Sequence, residues 1–321
     1  MSDHEAVPET GNATGEAAGT GSETGEQQDE QSDERQDNQQ DDQHDDGVSD
    51  ESNASSVAPP PAARVELASP SRSADAGHMA SADISSVASA ADLEFRLVGG
   101  NAISLLVWAH EIAAAVPERE TNDADLGVPA LATGSANLVA ALTEKGYKQV
   151  EGNRFVRYVE HAHGELELFI DVLVPSYTGR LQTNQPFGDL VVDAIPGLAI
   201  AIALEPTVVE VVTTLTTGEV VEYTVPLPHP LAAMCMKAYA YRWRLADRDA
   251  IDVWRLAEVA HALGLTQEDW PAGATGREAA AILHQHFATP GAGGPVRATT
   301  DRGAQARIRA LVLSLVPPPS A

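Results

Sequence analysis

The chain is poor in several things, and each shortage narrows its chemistry. A single cysteine, Cys235, among 321 residues excludes an intrachain disulfide. No apolar run reaches the roughly 18 residues that a membrane-spanning helix needs. The N-terminus has no basic stretch followed by an apolar core, so no signal peptide is expected, and the expected setting is the cytoplasm with no membrane partner. There is no P-loop, no dinucleotide-binding glycine fingerprint and no Ser/His/Asp signature, and His110-Glu111 lacks the second histidine of a zinc-protease helix. Positive charge is scarce too: 20 Lys and Arg stand against 47 Asp and Glu, for a net charge of -27.

That deficit is uneven. Residues 1–60 hold 17 Asp or Glu and one basic residue, Arg35. Such a segment, with almost no large apolar side chains, cannot bury enough surface to offset chain entropy, so residues 1–56 are expected to be a disordered acidic tail. An acidic tail repels nucleic acid, so the net charge is a poor guide to the partner of the folded part. Its plain reading is a solubilising spacer; shielding of a site or mimicry of nucleic acid is the alternative. Residues 57–89, rich in Pro, Ala and Ser and marked by Pro59-Pro60-Pro61, read as a linker, with a weak strand signal at Val65-Glu66-Leu67. Order is expected from about Ala90.

From there the pattern is that of an α+β fold, a mixed sheet with flanking helices followed by a helical C-terminal part. Phe95–Val98 reads as a strand running into Gly99-Gly100, then an apolar, Ala- and Leu-rich helix to Ala115 that Pro117 ends. The second half of Arg119–Val128 reads as a strand, followed by a helix to Lys145 with Ser135 as its N-cap and Gly146 closing it. Strands are expected at 147–150, 155–161, 165–174, 190–192, 208–215 and 219–225, with turns at Glu151-Gly152-Asn153, His163-Gly164 and Thr217-Gly218. Helices are expected at 231–246 and 249–263, with Asp247 or Asp249 as the second cap, and in 266–288 and 301–315 around a Gly-rich loop at 291–294. The expected body is thus a domain over 90–265 and a helical extension over 266–321.

Three features could carry chemistry. Gly99-Gly100 between strand and helix lets a phosphate approach backbone N–H groups at a helix N-terminus, although ordinary packing also produces such turns. Asp123 and Asp125, two apart on a strand, project to one face; carboxylates that close call for a cation, and magnesium suits their hard oxygens, while a solvated edge is the bland reading. Asp171 lies among Phe169, Ile170, Val172 and Leu173, either for a functional reason or on an exposed edge strand. Together they suffice for two-metal phosphoryl chemistry. Further along, Lys237, Tyr241, Arg244 and Arg248 recur at helical spacing and could form a solvated face. Arg119 and Thr121 could pair with Glu118 or Glu120. His161-x-His163 beside Glu165 could ligate a transition metal but reads more simply as a polar pair flanking a turn. Cys235 sits among methionines and reads as core.

The string Leu97-Val98-Gly99-Gly100, a helix, Asp123-Ala124-Asp125-Leu126 and a later strand carrying Asp171 resembles the nucleotidyltransferase superfamily of DNA polymerase beta-like fold. Arg119-x-Thr121-x-Asp123-x-Asp125, and Lys237 followed by Arg242 and Arg248-Asp249-x-x-Asp252, look like the AbiEii-type toxin nucleotidyltransferases of type IV toxin–antitoxin systems. The resemblance covers about residues 90–265. It implies transfer of a nucleoside monophosphate from an NTP to an acceptor hydroxyl, of RNA or tRNA or of a protein, with Mg2+ or Mn2+. It gives Asp123, Asp125 and Asp171 the catalytic and metal-binding roles. It gives Gly99, Gly100, Asn101, Ser104, Arg119, Thr121 and Lys237 nucleotide-binding roles, with Asp249 and Asp252 orienting basic groups or the incoming base. It also implies a cognate antitoxin as a possible partner. The span from Gly100 to Asp123 is longer than the compact motif, which predicts a lengthened helix or loop around 111–118. A small-molecule acceptor, or a non-catalytic nucleotide-binding regulatory protein, are the rival readings; a nucleic-acid acceptor usually leaves a basic footprint, and this chain has one only around Arg242, Arg244, Arg248 and 297–309.

Overall fold

A strand-forming stretch of alternating character opens the described chain. The computed structural model describes residues 63–130, 135–162, 164–188 and 190–319. The expected acidic tail, His163 of the expected turn and the side chain of Ser135 lie outside the described residues. Strand β1 (Ala63–Ala68) leads into helix α1 (Arg72–Ala90), whose Ser71 N-cap accepts the Ala74 amide at 3.1 Å. Residues 63–89 are therefore not a linker. Helix α1 buries small residues, Ala74, Ala76, Gly77 and Ala80, with Ile84 and Val87 below them. It packs against β3, β6 and β10, defined below. Small side chains allow that close approach, and the same composition mimics a linker.

The main sheet is built from β2 (Arg96–Val98), β3 (Asp123–Gly127), β4 (Lys148–Glu151), β5 (Arg154–His161), β6 (Gly164–Pro175), β7 (Gln182–Phe187) and β8 (Leu190–Ile195). Its order is β2-β3-β6-β5-β4, with β8 pairing β6 and β7. It is mixed: β3 and β6 run parallel, while β2 opposes β3 and β5 opposes β6. Strand β6 is thus interior, and Asp171 is not on an edge. A smaller sheet joins β1 to β9 (Thr207–Thr214) in parallel and β9 to β10 (Val220–Leu227) as a hairpin. Helix α2 (Gly99–Ala109) ends six residues short of the expected stop, and a 3-10 turn at Ala113–Ala115 fills the lengthened span before β3. Helices α3 (Ser135–Glu144) and α4 (Leu198–Ala203) complete this half; α4 and β7 carry no sequence signal beyond short, ambiguous runs.

Pro230 at the first turn starts α5 (Pro230–Arg244). Leu245 then adopts the left-handed region (φ 49°), which costs a non-glycine roughly 1 kcal/mol, and two residues later α6 (Asp247–Ala262) begins. Neither Asp247 nor Asp249 caps α6: Ala246 is the N-cap residue, and Asp249 faces Arg244. Helices α7 (Gly273–Leu283), α8 (Gly293–Ala298) and α9 (Arg302–Leu315) pack back onto α5 and α6, so the Gly-rich 291–294 stretch runs into a helix. One buried apolar cluster runs from Val65 through Leu126, Ile170 and Leu256 to Val316, so residues 266–316 share the core and are not an appendage. Cys235 lies inside it, fully buried. No helix among the described residues is long and apolar enough to cross a membrane.

Candidate functional site

Strand alternation sets the site. Ala124 and Leu126 point into the core with no exposed surface, which sends Asp123 and Asp125 to the other face. On β6, Ile170 and Val172 are likewise fully buried, and Asp171 lies in register with Asp125. Neighbouring parallel strands in register present paired residues to the same side, so the three aspartates share one face. Burial, then the charges of Asp123 and Asp171, push the Asp125 carboxyl up to about 7; Lys237 and Arg119 pull the other way.

Strand β2 and the start of α2 form the wall beside Asp125. Gly99 takes φ +75° as the chain turns from β2 into α2, and a Cβ there would collide with the Asp125 carboxylate. A Cβ on Gly100 would collide with the Arg119 guanidinium. Gly99 is thus required by its backbone conformation and by Asp125, whatever ligand the turn receives, while a side chain at Gly100 would have to displace the end of Arg119. Asn101 Nδ2 donates to the Asp123 carbonyl at 2.8 Å and the Gly77 carbonyl at 3.2 Å, tying α2 to β3 and α1. Ser104 Oγ donates toward the Gly100 and Arg119 carbonyls, both at 3.2 Å, and accepts from Arg255 Nη2 at 3.1 Å. Thr121 Oγ1 donates to Asp123 Oδ1. The loop before β3 is therefore fastened at both Arg119 and Thr121, and neither pairs with Glu118 or Glu120.

A second group of charges sits under α5 and α6. Asp249 accepts from Arg244 Nε and Nη2 at 3.0 and 2.8 Å and lies 3.5 Å from Lys237 Nζ. Asp252 holds Lys237 Nζ at 2.8 Å, Arg119 Nη1 at 3.1 Å and Arg255 Nη1 at 3.6 Å. Both carboxylates are completely buried, and the Lys237 side chain is 11% exposed. The Lys237 and Tyr241 positions are therefore interior, and the spacing 237, 241, 244, 248 is not a solvated face; only its Arg244 and Arg248 end is open. Arg119 belongs to both groups: it ties α6 to the loop before β3, and its charge reaches Asp125. His161 pairs with buried Asp75 at 3.0 Å, away from the aspartate face.

Arg154 was not among the expected site residues. Its Nε and Nη2 meet Asp171 Oδ1 and Oδ2 at 2.8 and 2.6 Å, Nη2 lies 3.7 Å from Asp123 Oδ2, and the guanidinium stands 5.1 Å from the centre of the Phe169 ring. Bonding to Asp171 raises its pKa further. A signal for it does exist. In the β5–β6 hairpin His161 faces Gly164, and counting outward from that turn places Arg154 opposite Asp171. Arg255, equally unexpected, pairs with Asp252 at i,i+3 on α6, but its contact with Ser104 joins residues far apart in sequence.

In donor chemistry Asp123 and Asp125 fit a hard divalent cation, and Asp171 is beside them; but Arg154 takes both oxygens of Asp171. Among the described residues no group of three or more His, Cys, Asp or Glu is arranged to hold a metal ion. No protein-family model matches the chain, and no curated protein matches it.

Proposed function

We propose that this chain has a nucleotidyltransferase-like fold and is a divalent-metal-dependent nucleotidyltransferase. In this reading the oxygen of an acceptor hydroxyl attacks the α-phosphorus of an NTP, the nucleoside monophosphate is transferred, pyrophosphate leaves, and the hydroxyl proton passes to a carboxylate or to water. The observation that carries the reading is the alignment of Asp123, Asp125 and Asp171 on one face of adjacent strands, where burial and then the neighbouring carboxylates hold the Asp125 carboxyl near 7. Crowded carboxylates next to a glycine turn and a helix N-terminus suit a site where a cation and phosphates arrive together. A divalent cation there would offset the carboxylate charge and polarise the phosphate under attack. Lys237 and Arg119, whose charges reach Asp125, supply the nearby positive potential. An RNA or protein hydroxyl is the acceptor class that goes with this reading.

The experiment is incubation of the full chain with Mg2+, each of four α-labelled NTPs, and total RNA or the protein itself. Label on RNA or protein, lost in Asp123→Ala, is the expected result. A second reading, a nucleotide-binding protein that performs no transfer, is favoured by the capture of Asp171 by Arg154. Measurable NTP binding without label on any acceptor would select it.

A further inference from the structure

The Arg154 guanidinium lies between two of the three aspartates of the acidic face. It grips Asp171 with two bonds and leans to within 3.7 Å of Asp123 Oδ2. It reaches that place from β5, the strand paired with β6 on the side away from β3. The side chain is 40% exposed, and its Phe169 contact is a cation–π contact with a partly exposed ring. The Asp171 side chain is 13% exposed, so the pair is open to solvent on the arginine side only, whereas Asp249 and Asp252 are sealed completely. Asp125, in register with Asp171, receives no hydrogen bond from Arg154. The clamp thus neutralises Asp171 and leaves the face short of positive charge.

We infer that Arg154 is an internal latch on the acidic face: it competes with a divalent cation for Asp171, and that cation binds fully only when the guanidinium lets go. The inference rests on the aspartates forming a cation site, as in the proposed function, but it does not depend on transfer activity. Two single charges at short range repel or attract strongly even in a half-exposed site, so removing the guanidinium should strengthen cation binding well beyond the scatter of a titration.

The test is a titration of the full chain with Mn2+ alone, followed by electron paramagnetic resonance of the free ion and checked by the shift in melting temperature. Wild type is compared with Arg154→Gln and with Arg154→Gln/Asp171→Asn. Arg154→Lys serves as a second variant that keeps the charge and loses the two-pronged grip. The expected result is a Mn2+ dissociation constant about tenfold lower in Arg154→Gln than in wild type. The gain should disappear in the double variant, and Arg154→Lys should fall between. Equal Mn2+ affinity in wild type and Arg154→Gln, with the gain absent in Arg154→Lys as well, would overturn the latch and leave the cation site standing. No Mn2+ binding by any of the four proteins would overturn the latch and the cation site together. Loss of transfer activity with Mn2+ affinities ordered as expected would reject the enzymatic reading alone.

Discussion

Two groups of aspartates lie within reach of the same arginine, and they handle charge in opposite ways. Asp249 and Asp252 are fully buried, yet each is surrounded by cations: Arg244 and Lys237 on one, Lys237, Arg119 and Arg255 on the other. Asp123, Asp125 and Asp171 are nearer to solvent, yet their neighbours include one another, and Asp125 is held up near 7. The first group is what folding produces when charge must be buried: every carboxylate is met, and the pairs fasten α6 to α5 and to the loop before β3. The second is what folding avoids unless something else supplies the missing charge. Burial alone therefore does not mark the candidate site. Burial beside like charge, with one arginine among three carboxylates, does.

The largest expected effect tests the compensated group. Asp252→Asn should destabilise the protein by about 4 kcal/mol, because removing one partner leaves Lys237, Arg119 and Arg255 crowded in a buried setting. Urea unfolding with an unchanged m-value is the measurement. A loss below about 1 kcal/mol would mean that this group is not what fastens α6, and the contrast would collapse.

The next effect has the opposite sign. The folded pKa of Asp125 lies above its ordinary value of 3.8. Between about 4 and 7 the native state therefore holds a proton that the unfolded state has given up, and stability falls as pH rises through that window. Asp125→Asn removes this loss. It should stabilise the protein by about 2 kcal/mol at pH 8, after allowance for the carboxylate's partial exposure, and by nothing near pH 4. On the proposed function, transfer activity should vanish in the same variant. A destabilised Asp125→Asn at pH 8 would show that Asp125 is as well compensated as Asp252.

How much of this could be read beforehand depends on range. The strand–glycine–helix turn at Gly99-Gly100, the Asp-x-Asp strand and the β5–β6 hairpin are local patterns and stand where periodicity and turn residues place them, although α2 stops at Ala109 and not at the expected Ala115. Helix α1 is also local but was masked by its composition, since Ala, Ser and Gly at its buried face resemble a linker. The compensated group was legible only in its parts. Arg119 and Asp252 are 133 residues apart, and no spacing rule joins them. Arg154 lies between these cases: its pairing with Asp171 follows from the hairpin register, but an arginine just past a turn ordinarily signals nothing more than a solvated strand end.

A third way of handling charge sharpens the contrast and gives the smallest effect. His78, on α1 beside the cavity lined by Asn101, Ser104 and Thr121, is driven down to about 4 by burial, with only Asp75 pulling it back; it bonds Tyr223 OH at 2.8 Å as a neutral ring. It is neither paired with a counter-charge nor crowded by like charge, so it gives up its charge instead. Its unfolded pKa is the ordinary 6.5, so from there down to about 4 the unfolded chain binds a proton that the native chain refuses. Stability is kept above 6.5 and lost as pH falls through that window. His78→Gln should therefore lose about 1 kcal/mol less than wild type on going from pH 7.5 to 5.5, measured as the difference of two urea midpoints. Asp125 titrates in the same range with the opposite slope but is common to both proteins, so the comparison isolates the histidine. Identical losses in the two proteins would mean that His78 takes up its proton in the fold, with Asp75 as a working counter-charge, and would move it into the compensated class with Asp252.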